Sequence, residues 1–123
     1  MLANAKAFSG FAVPDLQEAR GFYEGTLGLN VSEDNGLLTL HLAGDRNTLV
    51  YPKPDHVPAT YTILNFAVSD IEQVVDDLTA RGVRFERYDG FGQDDRGIAQ
   101  PDDGPRIAWF TDPAGNILSV LEE

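Results

Sequence analysis

Two histidines and no cysteine are available for chemistry in a chain of 123 residues. Thiolate nucleophiles, disulfides and sulfur-bound metals are therefore excluded, and proton transfer near neutral pH rests first on His41 and His56. His41 lies in the alternating stretch Leu38-Thr39-Leu40-His41-Leu42, on the parity opposite to the leucines. An imidazole there can serve as a base or a hydrogen-bonding anchor; the pattern equally suits a strand histidine with no chemistry. His56 stands beside Asp55 in a proline-rich stretch and reads as a surface residue. Asp94, Asp95, Asp102 and Asp103 crowd the segment 90–104, which also holds four glycines. Their spacing lacks the glycine and distal glutamate of a calcium loop, so the segment reads as a long, mobile acidic loop.

These groups need elements to hold them, and a repeat supplies the plan. Phe11-Ala12-Val13-Pro14-Asp15-Leu16 and Phe66-Ala67-Val68-Ser69-Asp70-Ile71 lie 55 residues apart. In the first copy Asp15 is a helix N-cap with Glu18 three residues on. Leu16, Ala19, Phe22, Tyr23 and Leu27 then form one helical face, and Gly28 ends it. In the second copy Asp70 caps, Ile71, Val74, Val75 and Leu78 form the stripe, and Gly82 ends it. Strands are predicted over 29–32, 37–43 and 48–51 after the first helix, and over 83–88, 107–111 and 117–121 after the second. The turn Asp112-Pro113-Ala114-Gly115-Asn116 joins the last two.

Each half thus reads β-α-β-β-β, over about residues 6–51 and 61–122. A stiff connector, 52–60, carries Pro52, Pro54 and Pro58. Parity sends Phe11, Val13, Leu64, Phe66, Val68, Leu38, Leu40 and Leu42 under the helices. Phe8, Gly10, Ala12, Thr39, His41, Ile63, Asn65 and Ala67 are left on the opposite faces. The expectation is an α+β fold of two related modules, forming one domain over 1–123 with a curved inner surface.

Composition narrows the function classes. Hydrophobic residues make up 42% and charged residues 24%, as in ordinary globular proteins. The net charge of −11 would repel a polyanion, so nucleic acid is not an expected partner. No apolar run suggests a membrane span, residues 1–6 do not read as a secretory signal, and the expected compartment is the cytoplasm.

The phrases Phe11-Ala-Val-Pro-Asp15, Phe22-Tyr23, Leu27-Gly28-Leu29, Phe66-Ala-Val-Ser-Asp70, Arg81-Gly82-Val83 and Trp109-Phe-Thr-Asp-Pro-Ala-Gly-Asn116 resemble the glyoxalase/bleomycin-resistance/dioxygenase superfamily, also called vicinal oxygen chelate proteins. The resemblance covers nearly the whole chain. It implies two βαβββ modules whose sheets form a cup, with metal ligands from four strand positions in the enzymatic members. Those positions fall here on Phe8, Val50, Ile63 and Ser119, where Tyr51 adjoins Val50. Phe, Val and Ile offer no lone pair, and a serine hydroxyl is a weak ligand.

The expectation is therefore a metal-free protein without a cofactor, which binds a small apolar, aromatic or cationic molecule. Phe8, His41, Val50, Tyr51, Ile63, Asn65, Trp109 and Ser119 would line its cup. The alternatives are a metal-dependent glyoxalase-like lyase or dioxygenase with a relocated site, using His41, and a structural module whose cup is fully packed. Relatives often form homodimers, and the resemblance implies the same here.

Overall fold

Asp15 and Asp70 each turn an extended segment into a helix through the same kind of bond. In the computed structural model, which describes all residues 1–123, Asp15 Oδ1 accepts from the backbone N–H groups of Gln17 (3.0 Å) and Glu18 (3.1 Å). Asp70 Oδ1 accepts from that of Gln73 (3.1 Å). Both carboxylates satisfy donors that a first helical turn leaves without partners. The backbone divides into two units, Met1–His56 and Val57–Glu123.

In the first unit β1 (Ser9–Val13) leads into α1 (Leu16–Arg20), followed by β2 (Asn30–Asp34), β3 (Leu37–Leu42) and β4 (Arg46–Pro52). The sheet order is β1-β4-β3-β2, with β1 parallel to β4 and the other pairs antiparallel. Asn35 (φ 54°) and Gly36 (φ 76°) close the β2–β3 hairpin, both in the left-handed region that a two-residue turn of matching twist requires. α1 packs on β3 and β4. Val13, Leu38, Leu40 and Val50 are fully or almost fully buried on the sheet face that carries the core.

The single helix expected from Leu16 to Leu27 is shorter than its pattern. After Arg20 the backbone widens into a π-helical segment, Gly21–Thr26, in which the N–H of Leu27 reaches back five residues to the Phe22 carbonyl (2.9 Å). Gly21 and Gly25 bring no side-chain packing to hold the tighter helix there. Tyr23 is wholly buried, with its ring 5.7 Å from that of Phe11 and 5.2 Å from that of Phe22.

The second unit comprises β5 (Thr62–Val68), α2 (Ile71–Ala80), β6 (Ile107–Thr111) and β7 (Ile117–Glu122). The order is β5-β7-β6, with β5 parallel and β6 antiparallel to β7. α2 packs on β7, and Ile71, Val75, Phe110, Leu118 and Val120 are buried. The β6–β7 turn is held by buried Asp112, whose carboxylate accepts from the backbone N–H groups of Ala114 and Asn116 and from Asn116 Nδ2, each at 2.9 Å.

Two expectations are corrected in this unit. Residues 83–88 do not form a regular strand: Phe85 makes one bridge to Phe110, and the Glu86 N–H donates to the Trp109 carbonyl (2.7 Å). The ladder stops because the Gln93 side chain takes the next groups, accepting from Tyr88 N–H (2.7 Å) and donating to the Glu86 carbonyl (2.8 Å). Nor is 90–104 a free acidic loop. Gly97, Ile98 and Ala99 are buried, and Ala99 exchanges backbone bonds with Ile107 at 2.8 and 3.0 Å. No helix is long and apolar enough to cross a membrane.

Candidate functional site

In the second unit, strand register sets Asn65, Ser119 and Trp109 side by side across β5, β7 and β6. They lie on the sheet face opposite Phe66, Val120 and Ala108, by the alternation of each strand. Ser119 is wholly buried, and its hydroxyl donates to Asn65 Oδ1 at 2.5 Å. Ile63 is half-buried and is the extra residue of a bulge in β5, with no partner in β7.

Trp109 does not stand alone. The Tyr88 ring meets it edge-on with centroids 5.5 Å apart, and the Phe91 ring lies tilted at 4.9 Å. Phe91 keeps 52% of its surface exposed, an unusual state for a ring already in contact with two others. The backbone behind them is fixed by polar bonds. Gln93 Nε2 donates to the carbonyls of Glu86 and Gly97, each at 2.8 Å. The Arg87 guanidinium donates to the carbonyls of Asp94 and Asp95, and Asp94 Oδ1 accepts from the N–H groups of Arg96 and Ile98. Burial, assisted by the nearby Glu86 charge, pushes the Tyr88 phenol above its ordinary pKa. Tyr88, Phe91 and Gln93 were not among the residues expected from sequence. The available signal was a pair of aromatics beside Gly90 and Gly92, where a loop gives large rings no core to fill.

The first unit's corresponding face is polar. His41 is exposed and pairs in register with Asn30 of β2 and Asn47 of β4. Its Nε2 lies 2.7 Å from Ser32 Oγ, a partner that sequence reading did not supply. Tyr51 is 40% exposed, and Phe8, just before β1, is 68% exposed. Val50 is a correction. It sits opposite Phe11 and Leu38 in the register and is wholly buried among the core residues, so it lines nothing on the open face; that position in β4 belongs to Tyr51. His56 is also not a plain surface residue: it is half-buried, and its Nε2 is enclosed without a hydrogen-bond partner.

The profile of the Glyoxalase/Bleomycin resistance protein/Dioxygenase superfamily matches residues 7–120. The chain belongs to this superfamily. Solved structures agree on the fold. A superfamily member from Sphaerobacter thermophilus is 26% identical, with a TM-score of 0.75, over 97% of this chain and 98% of that one. TnmS3, an antibiotic binding protein from a Streptomyces species, is 23% identical, with a TM-score of 0.69, over 97% of each chain. The fosfomycin resistance protein FosX from Listeria monocytogenes is 13% identical, with a TM-score of 0.73, over 98% of this chain and 93% of that one. Comparison with curated protein sequences finds no match.

A metal site of the kind found in enzymatic members of the superfamily does not fit the residues present. Phe8 and Ile63 have no donor atom, Val50 lies in the core, and the Ser119 hydroxyl is committed to Asn65. No three His, Asp or Glu side chains gather elsewhere in a way that could hold an ion. What the open faces can do is stack, hydrogen-bond and, at His41, exchange a proton.

Proposed function

We propose that this protein binds a small, flat, apolar or aromatic molecule, neutral or cationic, without a protein-bound metal. The observation that carries the reading is Phe91: a half-exposed ring set against Trp109 by a loop whose backbone is pinned by Gln93 and Arg87. Such rings offer a stacking surface at little further cost in ordering, and their faces attract cations, which the net charge of −11 favours further. Asn65, exposed on the same sheet and held by the Ser119 hydroxyl, would orient polar atoms of the ligand, and Ile63 would add apolar contact. That the fold can hold a small molecule is supported by the Streptomyces antibiotic binding protein, whose identity is too low to transfer a ligand.

Trp109 is the only tryptophan, so its fluorescence reports on this surface directly. A panel of acridine and quinoline cations and neutral naphthalene derivatives should include compounds that quench it and raise the melting temperature. Phe91→Ala should weaken those compounds about tenfold. Single substitutions of Phe8, His41 and Tyr51 test ligand contact in the first unit. No quenching and no thermal shift across the panel would overturn the proposal.

The rival reading, a metal-dependent lyase or dioxygenase with a relocated site, is decided by elemental analysis. Protein grown with nickel, zinc, manganese and iron supplied should carry none of them stoichiometrically. We also take the protein to be a cytoplasmic homodimer, and sedimentation of the purified chain tests the assembly.

A further inference from the structure

We infer that the second unit carries another site, for an apolar carboxylate, in a cleft on the helix-covered side of its sheet. The cleft lies between α2 and the 82–96 segment, is open to solvent, and has a volume of about 330 Å³, within the range of small-molecule sites. It is distinct from the stacking surface, because Phe85 at its floor packs on Phe110 of the covered face, whereas Trp109 points to the other. Val75, Val83 and Phe85 form an apolar floor. Arg84, Arg87 and Arg96 stand around it, three of the nine basic residues of a strongly acidic chain.

The rim arginines are not all paired. Arg96 is committed to Asp76, with two of its nitrogens 2.9 and 3.2 Å from the two carboxylate oxygens, and to Glu72 at 3.6 Å. Arg87 spends its donors on the carbonyls of Asp94 and Asp95, which orient it without neutralising it. Arg84 is exposed and has no hydrogen-bond or ion-pair partner, so its planar fork is free for a carboxylate. Asp95, also at the rim, stands beside Arg87, so Arg84 is the one guanidinium left to meet an anion. A monoanion is thereby favoured over a phosphate dianion, and the floor selects one with an apolar body. Thr79 adds a hydroxyl at the same rim.

Phenylacetate is the probe, with 2-phenylethanol as its uncharged counterpart and backbone amide NMR of the whole protein as the readout. Phenylacetate should shift the amides of Thr79, Gly82, Arg84 and Arg87 in a saturable way while the Trp109 indole stays put. The alcohol should bind at least about tenfold more weakly, as should phenylacetate to Arg84→Gln, whose unchanged spectrum elsewhere confirms folding. Phe91→Ala should bind phenylacetate as the parent does. Absence of saturable shifts, equal binding of the alcohol, full retention in Arg84→Gln, or shifts centred on Trp109 would each overturn the inference. Since the stacking surface is read by tryptophan quenching, either site can fail without the other.

Discussion

On the open face of the first sheet, Ser32 and His41 stand 2.7 Å apart; on that of the second, Asn65 and Ser119 stand 2.5 Å apart. The bonds look alike, but their settings differ. Both partners of the first pair are exposed, so water can replace either one. In the second pair Ser119 is wholly buried and Asn65 alone reaches solvent. Beside Ser119 the chain has then folded Tyr88 and Phe91 against Trp109. Folding dictates the covered faces, which are mostly apolar, with Thr48 a buried exception opposite Leu40, and leaves the open faces to be furnished separately. One became polar with a titratable imidazole and the other aromatic. Function is to be sought in that divergence.

The largest test separates covered from open faces within the second unit. Phe110→Ala removes a ring that is 1% exposed and should cost about 3–5 kcal/mol in urea unfolding. Phe91→Ala, on the open side, should change stability by no more than about 0.5 kcal/mol while weakening ligand. Equal costs would mean that Phe91 is a core residue and would remove the case for a stacking surface.

Next in size comes the contrast between the two polar pairs. Asn65→Ala strands the buried Ser119 hydroxyl and should cost about 1–3 kcal/mol. Adding Ser119→Ala should recover part of that loss, because no hydroxyl is then left without an acceptor. Ser32→Ala should fall within about 0.5 kcal/mol, since water takes its place at His41. Denaturant midpoints for the three proteins decide the matter; a Ser32 cost matching that of Asn65 would show the first pair to be structural too.

Much of this plan was legible in the sequence, because the fold class rests on local signals. Asp15 and Asp70 before apolar stripes set both helix starts, and alternation placed Leu38 and Leu40 in the core and His41 outside it. The errors arose where something other than alternation decided. Val50 and Tyr51 differ by one residue, and in a strand one residue is the whole difference between faces. The expected strand 83–88 was lost to a glutamine side chain that competes for its backbone groups, and no periodicity records such competition. The aromatic surface joins residues from a loop and a strand far apart in the chain, so spacing could not show it. The Asn35-Gly36 turn, by contrast, is a local signal, two residues that accept the left-handed region.

The smallest effect separates the ion pairs of the two units. In the first, Arg20 lies 3.3 Å from Glu24 and 3.4 Å from Glu33. In the second, Arg106 lies 2.9 Å from both Glu72 and Glu122, and Glu122 also accepts from the Ile71 backbone N–H (3.2 Å) at the start of α2. The bond from Arg106, then that from Ile71, holds the Glu122 carboxyl below its ordinary pKa. A carboxyl depressed on folding stabilises the native state above its unfolded pKa, and loses that contribution as pH falls through the folded one. The stability gap between the parent and Glu122→Gln should therefore be widest near neutral pH and close as the pH falls through the carboxylate range. High salt should narrow it as well, because the pair is partly open to solvent. Glu33→Gln should cost less than Glu122→Gln at neutral pH, since its bonds to Arg20 (3.4 Å) and to the Gln17 side chain (3.2 Å) are longer and satisfy no backbone N–H at a helix start. A gap for Glu122→Gln that persists unchanged into acid would show that the residue acts through packing rather than charge, and the contrast between the two networks would lose its electrostatic basis.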